Sequence, residues 1–151
     1  MYRLNYVICF LLFIAPSVAS PQVSSEGINR VCQINKSAPA DTNLVLNRIT
    51  IDRSQAVFDF TFNGPGWVRL YKPGSPHALF IESKSSGKRY DIIDASGVSW
   101  APDKTQVSKG QSVRFKVIFE KIDAEDQEID LIEGDEKVSG KVTSIPNIRL
   151  E

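Results

Sequence analysis

The chain has 151 residues, of which 18 are basic and 18 acidic, and 42% of it is hydrophobic. That neutrality excludes the basic footprint that binding to nucleic acid or to an anionic membrane surface requires. The length suits one domain with one core.

Met1–Ala19 has the form of a secretory signal. Arg3 supplies the positive start, Val7–Ala15 the apolar run, and Ser17-Val18-Ala19 a small-x-small site for cleavage before Ser20. The run is nine residues long, against the roughly 20 needed to span a bilayer. The expected location is therefore secreted or periplasmic, with no stable membrane insertion after cleavage. Processing leaves Cys32 as the one cysteine, so no internal disulfide is possible and burial alone must hold the domain. A catalytic thiol would want a histidine base, and the chain has only His77. With Val31 and Ile34 beside it, Cys32 reads as a docked, inert side chain rather than a cross-linking one.

Residues 20–42 are rich in Ser, Pro, Asn, Gln and Ala and read as a flexible lead-in, with one short strand or helical turn around Ile28–Ile34. From Asn43 to Glu151 the pattern is that of strands. Leu44 and Leu46 alternate, then Ile49 and Ile51 alternate in the opposite phase, which predicts a bulge between Asn47 and Arg48. Asp52–Gln55 is a turn, and Ala56–Phe62 sets Phe58, Phe60 and Phe62 on one face against Asp59 and Thr61 on the other. These two segments form a predicted hairpin. After Asn63-Gly64-Pro65-Gly66 come predicted strands at Trp67–Tyr71, His77–Glu82 and Arg89–Asp94, separated by turn signals at Lys72–Pro76 and Ser85-Ser86-Gly87.

Ala95–Gly110 is the longest irregular stretch, with Val98 and Trp100 expected to tuck inward. In Ser112–Phe119, Val113, Phe115, Val117 and Phe119 share one face. Glu120–Glu128 is charged, with Ile122 as its only large apolar residue, and Ile129 and Leu131 turn inward again. Lys141–Leu150 closes the chain, with Pro146 marking a bulge or an edge. Strands at this spacing, without helical periodicity, describe a sandwich or a barrel, and the expected fold is an all-β antiparallel sandwich of about seven to eight strands.

The Phe-alternating strand, Trp67-Val-Arg, Gly87-Lys-Arg-Tyr-Asp-Ile-Ile, Asp94-Ala-Ser-Gly97, Val113–Phe119, Ile129–Asp135 and Ile145–Leu150 stand in an order that resembles an immunoglobulin-like β-sandwich module of exported Bacteroidetes-type bacterial proteins. The resemblance covers about Asn43–Glu151. It implies a fold and a compartment, and it carries no catalytic residues. In many relatives of that module a thioredoxin-like domain follows; no such domain and no Cys-x-x-Cys follows here.

Three constellations bear on chemistry. Asp123, Glu125, Asp126, Glu128, Asp130, Glu133, Asp135 and Glu136 make an acidic run dense enough for calcium, yet the sixth place counted from Asp123 is Glu128 where a calcium loop needs Gly. Two solvated turns around a polar strand face are the favoured reading of the run, since charge runs usually face solvent. Trp67, Tyr71, Tyr90 and Trp100 could offer flat faces to a sugar, although aromatics in a small sandwich more often fill the core, which is the expected place for them. No phosphate loop, nucleophile elbow or partner for His77 in a zinc site is present, and nothing selects a carboxylate pair for hydrolysis. The expectation is a non-enzymatic, monomeric accessory module that binds another envelope or secreted protein, without metal or cofactor. The alternatives are a carbohydrate-binding module using Trp67, Tyr71 and Trp100, and a hydrolase with an unrecognised carboxylate pair.

Overall fold

The computed structural model describes residues 30–39, 43–134 and 143–151. The expected signal at Met1–Ala19, the lead-in before Arg30, Val142 and the charged turn at 135–140 lie outside the described residues. The described chain is all-β, with ten strands and no helix: β1 (Arg30–Ser37), β2 (Leu44–Ile51), β3 (Gln55–Asn63), β4 (Gly66–Val68), β5 (Leu79–Ser83), β6 (Arg89–Ser96), β7 (Thr105–Val107), β8 (Ser112–Glu120), β9 (Glu128–Glu133) and β10 (Thr143–Arg149).

The alternating segments behave as their period dictates. On β3, Ala56, Phe58, Phe60 and Phe62 are buried, and on β8 so are Phe115, Val117 and Phe119. β3 and β8 pair antiparallel with Phe60 opposite Phe115 and Phe58 opposite Val117, so two aromatic faces meet on one side of the sheet. β2 and β3 form the predicted hairpin, and the register shifts between Leu46 and Arg48, as the phase change of the sequence requires.

The expected two-layer sandwich gives way to one curved, nearly closed sheet. Eight strands run in the order β1-β2-β3-β8-β6-β5-β9-β10, and β4 with β7 forms a separate ribbon. The corner is turned within β6. Arg89–Asp91 pair with β5, whereas Ile92–Ser96 pair with β8, and the register slips between Ile92 and Asp94. Such a bulge bends the strand and lets it serve both halves of the sheet. Strand spacing predicts short strands but not this continuity, because it is silent on which ladder each half of a strand joins.

The two free edges, β1 and β10, face each other and are joined by side chains. The Arg30 guanidinium donates to the carbonyl of Leu150 and, at 3.4 Å each, to those of Ala124 and Asp126. Lys36 Nζ donates to the carbonyls of Pro146 and Asn147. Each edge is also bulged, with Asn35 (φ 49°) on β1 and Asn147 (φ 54°) on β10 in the left-handed region that Asn tolerates. Bulges, Pro146 and lysine are devices that keep an edge from recruiting another strand.

Two sequence boundaries move. β1 pairs with β2 from Arg30, so the sheet begins well before Asn43 and the flexible lead-in does not extend through 30–37. Cys32 is buried on that strand. The predicted Trp67–Tyr71 strand shrinks to β4, paired with β7 inside the stretch expected to be irregular. β8 and β9, consecutive in sequence, are not neighbours: β8 lies between β3 and β6, and β9 between β5 and β10. The crossing between them is pinned at both ends by burial, Ile122 at 1% exposed and Asp126 at 3%.

Candidate functional site

The acidic crossing is not the solvated turn that its composition suggests. Asp126 Oδ1 accepts hydrogen bonds from Ser83 Oγ (2.5 Å), Ser85 Oγ (3.0 Å) and Ser86 Oγ (3.2 Å), and Oδ2 accepts one from Tyr90 Oη. Burial pushes the Asp126 carboxyl up, but the four hydroxyl donors outweigh it and hold the group below the usual carboxylate range. Burial, and then the bond to Asp126, drive the Tyr90 hydroxyl well above its ordinary value. The remaining acids are dispersed: Asp123 pairs with Lys88 at 2.7 Å and Asp130 with Lys84 at 3.2 Å. Among the described residues no three His, Cys, Asp or Glu side chains converge as a metal site would need; Asp135 and Glu136 lie outside them.

A cleft of about 520 Å³ opens at one end of the barrel, beneath the β4/β7 ribbon. Its floor is apolar: Leu44, Phe60, Phe62, Leu79, Phe115 and Leu131. Its rim carries Trp67, Arg69, Tyr71 and Glu133. Glycines make the rim possible. A Cβ on Gly64 would lie 2.1 Å from the Ser108 carbonyl oxygen, and one on Gly66 (φ +152°) 3.1 Å from the Phe62 ring. The backbone there approaches its neighbours too closely for any side chain, which sets the ribbon down on the barrel end.

At the rim the Arg69 guanidinium carbon lies 5.3 Å from the centre of the Trp67 ring and 5.2 Å from that of Tyr71. Arg69 Nη2 also donates to Tyr71 Oη at 2.9 Å. Lys104 Nζ stands 4.0 Å from the centre of the Trp67 ring, and the His77 ring packs on Tyr71 with centroids 5.2 Å apart. Opposite, Glu133 ends β9. Burial raises its carboxyl, while Arg69 and then His77 pull it down without cancelling the effect.

Of the aromatic set, the fold brings Trp67 and Tyr71 to the cleft, with Trp67 45% exposed. Trp100 stands apart from the lining. It is partly buried against the core, with its backbone bridged to Leu70. Sequence reasoning missed Arg69 and Glu133, although a signal for both was present. Ile129, Leu131 and Glu133 fall two apart on β9, so the period of a strand sets them on one face, and Trp67, Arg69 and Tyr71 have the same spacing although β4 ends at Val68. His77 lies in the loop before β5, where its ring packs on Tyr71.

A second hollow of about 590 Å³ lies on the outer face over β2, β3 and β8, where Asp59 pairs with Arg48 at 2.8 Å and with Lys116 at 3.8 Å. Arg114 also lines it.

No family model, no curated protein and no solved structure matches this chain.

Proposed function

We propose that this chain is an exported, non-enzymatic binding module whose binding site is the cleft at the open end of the barrel, and that the cleft takes a small molecule with an apolar body. The observation that carries the reading is the composition of the lining: large apolar side chains dominate it, with Phe60, Phe62, Phe115 and Leu131 buried, and its charged side chains among the described residues are Arg69 and Glu133. A cleft of that size, mostly apolar with few polar groups at the mouth of a β-barrel, is the usual form of a small-ligand site. Eight strands enclose about the room that one such ligand needs above a filled core. In this reading the fold is grouped with the immunoglobulin-like modules of exported Bacteroidetes-type proteins, on the strand sequences that resemble them.

A protein partner is the second reading, favoured by one observation. Trp67, Arg69 and Tyr71 touch one another at an exposed rim, and these residue types dominate binding hot spots. A sugar platform is disfavoured, because two cations lie over the one well-exposed indole.

Titration with the neutral fluorescent probe N-phenyl-1-naphthylamine tests the cleft. The expected result is saturable one-to-one binding that is lost in Leu44→Trp, which fills the cleft from its edge, and kept in Lys116→Ala on the outer face. Circular dichroism confirms that both variants fold. Absence of saturable binding to the wild type, or equal loss in both variants, overturns the proposal.

A further inference from the structure

We propose, resting on the cleft as the binding site, that its ligand is an amphiphile with an anionic head group, and that the head seats beside Arg69 against a protonated Glu133, so that binding takes up one proton. Arg69 and Glu133 both line the cleft, yet they form no ion pair with each other. Arg69 is held over two rings and gives one hydrogen bond, to Tyr71 Oη, among the described residues. A guanidinium fixed by stacking, with further donors in hand, is preorganised for a planar or tetrahedral oxyanion. Glu133 accepts no hydrogen bond among the described residues, so both charged groups of the lining have bonding capacity left for a head group.

The sign of the head follows from the charges that face it. Arg69 comes from the segment after β4, His77 from the loop before β5, and Lys104 stands over Trp67. The walls from β2, β3 and β8 add no charged group to the lining. Glu133 is then the single acid among these groups. A cationic head would meet the Arg69 guanidinium in the lining, with Lys104 and His77 packed behind it on Trp67 and Tyr71, whereas an anionic head meets one obstacle, the Glu133 carboxylate. Protonation removes that obstacle and turns Glu133 into a donor toward the head. Burial already favours the neutral acid, which makes this proton the easiest to add.

Isothermal calorimetry on the full mature chain tests the inference, with 1-decanesulfonate (anionic at every pH used), decanol and decyltrimethylammonium as probes between pH 5 and 8. The sulfonate should bind tightest, and its affinity should fall about tenfold per pH unit once Glu133 ionises in the free protein. Paired runs in buffers of different ionisation enthalpy should show an uptake approaching one proton per ligand. Glu133→Gln should bind the sulfonate with a flat pH profile, and Arg69→Gln should lose the preference for sulfonate while keeping decanol. Decanol as tight as the sulfonate would leave the cleft a site and overturn the head group. A pH slope that persists in Glu133→Gln would put the proton on His77 and overturn the seat described here. Failure of all three probes to bind would sink the cleft itself.

Discussion

The rings of Phe60 and Phe115 lie stacked across the β3–β8 ladder, their centroids 5.2 Å apart and their planes 14° from parallel. This pair is at once the middle of the core and part of the cleft floor. Packing and the cleft lining are therefore one surface here, and a change in the core reaches the cleft.

Phe60→Ala should cost about 3–5 kcal/mol, the range for removing a fully buried aromatic side chain. Asp59→Ala, one residue away on the outer face, removes exposed ion pairs with Arg48 and Lys116 and should cost about 0–1 kcal/mol. Urea unfolding of the two variants measures the contrast. Equal and large losses would contradict the register.

The Asp126 cluster should appear in both mutation and pH. Tyr90→Phe removes one donor from a buried carboxylate, a bond to a charged group that contributes about 1.5–3 kcal/mol. Asp126→Ala should cost more, because Ser83, Ser85 and Ser86 lose their common acceptor. Asp126 sits below its ordinary range in the folded chain, so its contribution is present above the unfolded carboxylate value of about 3.9 and is lost as pH falls through the folded value. Thermal melts should therefore fall more steeply below about pH 4 in the wild type than in Asp126→Asn. Parallel curves would assign the acid sensitivity to other groups.

Glu133 has the opposite sign. Its folded-state carboxyl is raised, by burial first, with Arg69 and His77 opposing. Its contribution is full below the unfolded value of about 4.3 and is lost as pH rises through the folded value. Ionised Glu133 is thus a burden near neutrality, and Glu133→Gln should raise the urea midpoint at pH 7 while changing it little at pH 4. A lower midpoint at pH 7 would mean that the carboxylate makes a stabilising contact.

Cys32 should react slowly with a thiol reagent in the folded protein and fast in urea. It is 2% exposed on β1, and burial pushes its thiol up, with Arg30 partly offsetting this. β1 is held to β10 by side chains rather than by a ladder, so Lys36→Ala, which cuts one of these ties, should speed labelling in the native state. Non-reducing gels should show a monomer. A disulfide-linked dimer lost in Cys32→Ser would point to covalent pairing instead.

Period-two patterning by itself determined which residues of β2, β3 and β8 face inward and where β2 bulges, and Pro146 marked β10 for a bulge or an edge, because alternation, its breaks and proline's missing donor are local properties of the backbone. It also held, unread, the inward phase of Glu133 and the common spacing of Arg69 with Trp67 and Tyr71. Only the tertiary structure decided that β6 serves two ladders, that β8 and β9 part company, and that β1 closes on β10 through Arg30 and Lys36. Those are pairings between segments distant in sequence, chosen by the area that closure buries and by the backbone groups that it satisfies. The same reason separates Asp126 from its acidic neighbours. Three serines and a tyrosine, 36 to 43 residues away along the chain, make it a buried anchor, and nothing in the run from Asp123 to Glu133 distinguishes it from the acids that stay in water.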